Sequence, residues 1–205
     1  RTPADARARL AELQSRIRPH FLFNTLNTAV ALVRIDPGRA EGVLEDLAEL
    51  FRVALAESRQ QISLREEIQV ARIYQRIEQL RLGSRLEVRW DVGALPPKAI
   101  VPGLLLQPLL ENAIGHGIEP LPEGGTVTIV GRATDGMISL EVANPVSVRA
   151  RSTRPGHRVA LDNIRQRLEL VFPGRATVTV HDQGDAYRVT LRFPLMLGPA
   201  ADDED

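Results

Sequence analysis

Two apolar helical stripes joined by a tight turn constrain this chain more than any other feature. Leu10, Leu13, Ile17, Phe21, Val30 and Val33 recur at helical spacings across residues 4 to 34 and predict one long helix. Pro19 interrupts that stripe and is expected to kink the helix just before His20. Asp36-Pro37-Gly38 is a turn signal. A second helix is predicted from Arg39 to Ser58, with Val43, Leu44, Leu47, Leu50, Phe51 and Ala54 on one face. A two-helix hairpin cannot bury both stripes by itself. Pairing with a second copy into a four-helix bundle is the economical solution, so a homodimer is expected.

After residue 62 the periodicity changes. Ser63-Leu64-Arg65-Glu66 has the form of a capping box and should open a third helix running to about Leu82. Arg85 to Val92 alternates like a strand. Pro102 to Gly117 reads as a helix opened by proline and closed by glycine. Thr126–Gly131 and Met137–Ala143 should form a hairpin about Thr134-Asp135-Gly136. Arg158 to Phe172 is helical, and Ala176–His181 pairs with Tyr187–Phe193 across Gln183-Gly184-Asp185. The sum is an α+β chain: a helical hairpin in residues 1–62, then an α/β sandwich in 63–197 with mostly antiparallel strands in one layer. The acidic tail, 198–205, is expected to be disordered.

Composition removes several function classes. The 26 Lys+Arg balance 26 Asp+Glu, so no global field steers the chain to nucleic acid. Aromatic residues make up only 4%, which argues against a base-stacking surface. The absence of cysteine excludes disulfides and thiolate zinc sites. No apolar run approaches the ~18 residues of a membrane span. The chain opens on Arg1 in a charged helical pattern, which we read as a fragment. Any membrane attachment is expected through a region upstream of it, making this the cytoplasmic portion of a bacterial inner-membrane protein.

Arg18-Pro19-His20-Phe21-Leu22-Phe23-Asn24-Thr25-Leu26-Asn27 resembles the phosphoacceptor box of the LytS-type sensor histidine kinases. Leu104-Leu105-Leu106-Gln107-Pro108-Leu109-Leu110-Glu111-Asn112-Ala113-Ile114-Gly115-His116-Gly117 resembles their N box, and Tyr74 to Arg81 their connecting helix. The resemblance runs from about residue 10 to 195 with the boxes in order. It implies a dimeric four-helix bundle followed by a two-layer sandwich of the histidine kinase/Hsp90-like ATPase (Bergerat) type. It also implies ATP and Mg2+ as cofactors, and a response-regulator receiver domain, commonly of a LytTR-type DNA-binding regulator, as partner.

Chemistry supports the roles carried over. An imidazole of ordinary pKa is largely neutral at cell pH and is a competent nucleophile, which suits His20 as the phosphorylated residue. The family pattern implies Asn112 as Mg2+ ligand through its hard amide oxygen, with His116 and Gly117 near the nucleotide. Phe21 stands where many histidine kinases carry an acid beside the phosphoacceptor. That makes Glu111 the candidate to polarise the attacking ring.

The glycine boxes depart from the pattern. The usual Asp-x-Gly-x-Gly is replaced by Asn144-Pro145-Val146-Ser147-Val148. Asn144 can still accept from the adenine amino group, though as a neutral acceptor it binds more weakly than a carboxylate. Pro155-Gly156-His157-Arg158-Val159-Ala160-Leu161-Asp162-Asn163-Ile164 keeps part of the second box, and the resemblance makes Gly156, Arg158, Leu161 and Asn163 nucleotide-site candidates. These departures resemble the sensors paired with alginate-type regulators. Arg149, Arg151, Arg154 and Arg158 could form a basic lid over the phosphates or a solvated loop. The expected function is autophosphorylation on histidine followed by transfer to an aspartate. The degenerate adenine box leaves open a weakly active or inactive dimeric scaffold, and intact boxes fit a phosphatase-dominant sensor as well.

Overall fold

The structure is a computed structural model and describes residues 19–55, 61–146 and 156–198. The expected kink before His20, the loop bearing Arg149, Arg151 and Arg154, and the tail beyond Gly198 lie outside the described residues. The chain divides into two compact units. One comprises Arg1–Ser58 and Ile73–Arg81, the other Arg59–Arg72 and Leu82–Asp205.

In the helical unit, α1 (Pro19–Leu32) and α2 (Pro37–Leu55) form the hairpin. Asp36 caps α2, its Oδ1 accepting the Arg39 N–H at 3.0 Å, and Pro37 fills the first helical position, where its missing N–H costs nothing. α1 buries Phe21, Thr25 and Ala29, spaced four apart, while α2 buries Ala40, Val43, Leu47 and Leu50. The second half of α3 (Leu64–Leu82) adds Ile73, Tyr74 and Ile77. Phe21 stacks on Tyr74 with ring centroids 4.9 Å apart, worth about 0.5–1.5 kcal/mol beyond the area it buries. The apolar positions of α1 therefore split into two faces. Phe21 belongs to the interior, whereas Phe23, Leu26, Val30 and Val33 form an exposed stripe, with Phe23 64% and Val30 72% accessible.

The second unit starts with the capping box. The Ser63 N–H donates to Glu66 Oε2 at 2.8 Å, and the Glu66 N–H returns to Ser63 Oγ at 3.2 Å. The strand β1 (Gln61–Ser63) that precedes it pairs antiparallel with β3 (Ile100–Pro102). The main sheet holds β2 (Leu86–Asp91), β4 (Gly125–Thr134), β5 (Met137–Pro145), β6 (Thr177–Asp182) and β7 (Ala186–Pro194) in the order β2-β4-β5-β7-β6. Only β2 and β4 run parallel among these neighbours. Between them lies a crossover carrying α4 (Leu106–Ala113) and a following π-turn (Ile114–Ile118). The β4–β5 hairpin closes Thr134 on Met137, with Asp135 and Gly136 both at positive φ, as a type I′ turn requires.

Strand alternation puts Ile138, Leu140 and Val142 of β5 and Val189, Leu191 and Phe193 of β7 on one buried face. α4 covers that face with Leu106, Leu109, Leu110 and Ala113, and α5 (Gly156–Val171) with Leu161, Ile164 and Leu168. Phe172, just past α5, stacks on Phe193 at 5.3 Å. One layer of helices thus lies on one mixed sheet.

One expectation needs correcting. The helix read as Pro102 to Gly117 begins at Leu106, and Pro102 instead ends β3. Leu104, at a φ of 60°, turns the chain between them.

Candidate functional site

The site is built on α4, which presents Glu111 and Asn112 near its C-terminal end. Pro108 stands in its first turn, where a missing N–H breaks no helical bond. Asn112 is only 4% exposed, unusual for an amide without a task. Buried Gln107, one turn earlier, donates from Nε2 to Glu111 Oε2 at 3.1 Å and fixes the carboxylate's orientation.

Beyond Ala113 the helix widens into the π-turn that carries His116 and Gly117. Such insertions recur at functional sites because the extra residue re-aims the side chains that follow. Gly117 approaches the end of β5 closely: a β-carbon there would stand 2.3 Å from Asn144 Nδ2 and 2.9 Å from the Pro145 carbonyl oxygen. Asn144 is 7% exposed, and its Nδ2 donates to that same carbonyl at 2.8 Å. An aspartate at 144 would set a carboxylate oxygen against the carbonyl. The Asn-Pro pair is thus a matched unit of a donor and its acceptor. Glu111, Asn112 and His116 are each engaged elsewhere in the protein. Yet Glu111 Oε1, Asn112 Nδ2 and His116 Nε2 are buried atoms that make no hydrogen bond.

The start of α4 is held from a distance. Leu105, at the N-cap position, provides no side-chain cap. Glu67 of α3, fully buried, provides one instead. Its Oε2 accepts the Leu104 N–H at 2.9 Å, and its Oε1 those of Leu105 and Leu106 at 2.5 and 2.6 Å. Arg167 of α5 donates from Nη1 to the Gly103 carbonyl at 3.0 Å. Burial pushes the Glu67 carboxyl above the usual carboxylate range, opposed by the three N–H donors and by the Arg167 charge. The folded chain therefore keeps this proton to higher pH than the unfolded one. Its contribution to stability is full below the unfolded pKa and is lost as pH rises through the folded value.

The structure brings Glu111, Asn112, His116, Gly117 and Asn144 into one continuous element pair, α4 with its π-turn against the end of β5. Gly156 and Arg158 lie in the first turn of α5, and the Arg158 side chain falls outside the described residues. Leu161 is buried and Asn163 exposed on that helix. His20 lies on α1 of the other unit, its side chain likewise outside the described residues. The sequence reading gave no role to Glu67, and named Gln107 and Arg167 only as members of the N box and the second glycine box. The i, i+4 spacing of Gln107 and Glu111 could have revealed that pair. Nothing near Glu67 signals its role.

The chain is similar to known proteins along most of its length. The histidine kinase family model matches residues 8–86. The sensor histidine kinase YpdA of Escherichia coli is 33% identical over 183 residues, covering 81% of this chain and 31% of that protein. The sensor protein LytS of Staphylococcus saprophyticus is 30% identical over 202 residues, covering 91% and 34%. The chain thus spans about a third of the length of these relatives. Among solved structures, the histidine kinase domain of the blue-light activated kinase EL346 from Erythrobacter litoralis aligns over 92% of this chain and 91% of its own. The TM-score is 0.50 at 20% identity. A bacterial phosphotransferase aligns over 93% and 97%, with TM-score 0.51 at 17% identity. These two likenesses concern the fold, a Bergerat-type sandwich preceded by a helical hairpin. By sequence the chain belongs with the histidine kinases of the LytS type.

Proposed function

We propose that this chain is the catalytic portion of a two-component sensor, phosphorylating its own His20 from ATP. The observation that carries the reading is α4 itself, which presents Glu111 and Asn112 and packs, through Gly117, on the strand end bearing Asn144. Residues 1–62 form the dimerisation and phosphoacceptor segment and 63–197 the ATP-binding domain. A ring nitrogen of His20 attacks the γ-phosphorus, a P–N bond forms as the bond to the β-phosphate oxygen breaks, and ADP leaves. We assign Glu111 the part of polarising the attacking ring.

The residues fit a magnesium nucleotide. Asn112 offers a hard oxygen ligand, and Glu111 and His116 stand beside it on the same helix and its π-turn. The metal would neutralise charge on the β- and γ-phosphates. In this reading Asn144 accepts from the adenine amino group, and Gly156, Arg158, Leu161 and Asn163 belong to the second nucleotide box. The phosphoryl group then passes to an aspartate of a response-regulator receiver domain, in our reading that of a LytTR-type regulator. Among the described residues no helix is long and apolar enough to cross a membrane. Membrane attachment would come from a further part of the sensor.

Wild-type chain incubated with Mg2+ and labelled ATP should acquire acid-labile, base-stable phosphate. A folded dimer that takes up no label and binds no nucleotide would show that the altered adenine box has left a scaffold.

The exposed Phe23, Leu26, Val30 and Val33 stripe is the face for a second copy, completing a four-helix bundle. Sedimentation equilibrium should give twice the 22.6 kDa chain mass, reverting to one chain when Phe23 and Val30 are both replaced by Glu. A monomeric wild type would overturn the dimer.

A further inference from the structure

We infer that Glu67 is a positioning residue for the nucleotide site, holding the first turn of α4 so that Glu111 and Asn112 stand where the chemistry needs them. The inference rests on the kinase reading of that site, since it concerns what the turn is held for.

The argument begins with accounting of backbone donors. A helix start leaves its first N–H groups without helical acceptors. For α4 these belong to Leu105, Leu106 and Gln107, because Pro108 has none. A local Ser, Thr, Asp or Asn ordinarily supplies the acceptor. Here the preceding residues are Gly103, Leu104 and Leu105, and none can. Glu67 accepts from Leu105 and Leu106, and from Leu104 as well, all within 2.9 Å. Leu104 sits at a φ of 60°, a conformation that costs a residue with a β-carbon, so its N–H is aimed by strain as well as by the carboxylate. Arg167 binds the Gly103 carbonyl, and its charge acts on Glu67.

A cap made only for stability has cheaper forms than a fully buried carboxylate, whose desolvation pushes its pKa upward. What the distant cap adds is geometric. The first turn of α4 cannot shift without breaking three bonds to α3, and Gln107 of that turn is the residue that orients Glu111. Asn112 lies one residue further along the same helix. The chain Glu67, α4 N-terminus, Gln107, Glu111 is contiguous, every link being a hydrogen bond or the helix itself.

The test uses the full chain and three readouts: amide hydrogen exchange, Kd for Mg–ATP, and autophosphorylation resolved into KM and kcat. Glu67→Gln keeps the shape but turns an amide donor on one of the N–H groups; Glu67→Ala removes all three acceptors. Both are expected to speed exchange from Leu104 through Asn112 and to weaken Mg–ATP roughly tenfold, well below their melting temperatures. Arg167→Met should move the same readouts less far. If Glu67→Ala fails to fold, Glu67→Gln and Arg167→Met still decide. Faster exchange confined to 104–106 with unchanged Kd and kcat would make Glu67 a stabilising cap and overturn the inference. Wild-type chain that binds no Mg–ATP would instead defeat the reading of the site, and the inference with it.

Discussion

Replacing His20 by glutamine is expected to abolish acid-labile labelling, lowering phosphate uptake by roughly a thousandfold or more while ATP binding stays at the wild-type level. Glutamine is polar like histidine and the better helix former, so the hairpin should form unchanged. What it lacks is a basic ring nitrogen whose lone pair can form the P–N bond; an amide nitrogen has given its lone pair to the carbonyl. The chain holds four histidines, and His20 alone lies in the hairpin. His116 belongs to the π-turn beside Asn144, His157 to the first turn of α5, and His181 to the exposed strand β6. Mapping the label therefore discriminates cleanly: in wild type it should travel with tryptic peptide 17–34. Label that persists in His20→Gln, or maps to a peptide with one of the other three, would sink the assignment of the phosphoacceptor and leave the nucleotide site untouched.

The features legible in the sequence are those whose causes are local. Ser63 and Glu66 are three residues apart and make both reciprocal bonds of a capping box. Asp135-Gly136 needs only its own backbone freedom to close the β4–β5 hairpin. The N box could be placed because its run of residues from Leu104 to Gly117 resembles the family's own. Features hidden in the sequence have causes that lie far along the chain. Pro102 looked like a helix opener because proline suits that position, yet the start of α4 is set by Glu67, at least 37 residues earlier in the chain. Glu67 itself reads as an ordinary charged residue in the first turn of a helix. The strands β1 and β3 are three residues each, too short for periodicity to announce, and exist because they pair with one another. In α1 the apolar residues looked like one stripe. Only the arrival of Tyr74 on Phe21 shows which of them belong inside, and why a ring rather than a carboxylate follows His20.

The same distinction governs the second large effect, expected at Gly117. Its sequence neighbour Gly115 makes a natural control, for a β-carbon at 115 meets nothing within 4 Å, and Gly115→Ala should behave as wild type. At 117 the added carbon would overlap Asn144 Nδ2 at 2.3 Å and press on the Pro145 carbonyl oxygen at 2.9 Å. The asparagine cannot simply rotate away, because it is buried and its Nδ2 is bonded to that carbonyl. The carbonyl belongs to Pro145 of β5, which is paired with Ala186 of β7. Relief must come from the π-turn, which moves His116 and draws the end of α4 away from β5. Displacements of that order at a binding constellation cost about a hundredfold. The overpacking itself costs about 1–3 kcal/mol of stability, so the chain should remain folded. Gly117→Ala is accordingly expected to weaken Mg–ATP about a hundredfold with a modest fall in melting temperature, measured by fluorescent-nucleotide titration and thermal unfolding. Loss of stability with unaltered nucleotide affinity would mean that the contact between the π-turn and Asn144 serves packing alone, and that adenine is read elsewhere in the sandwich.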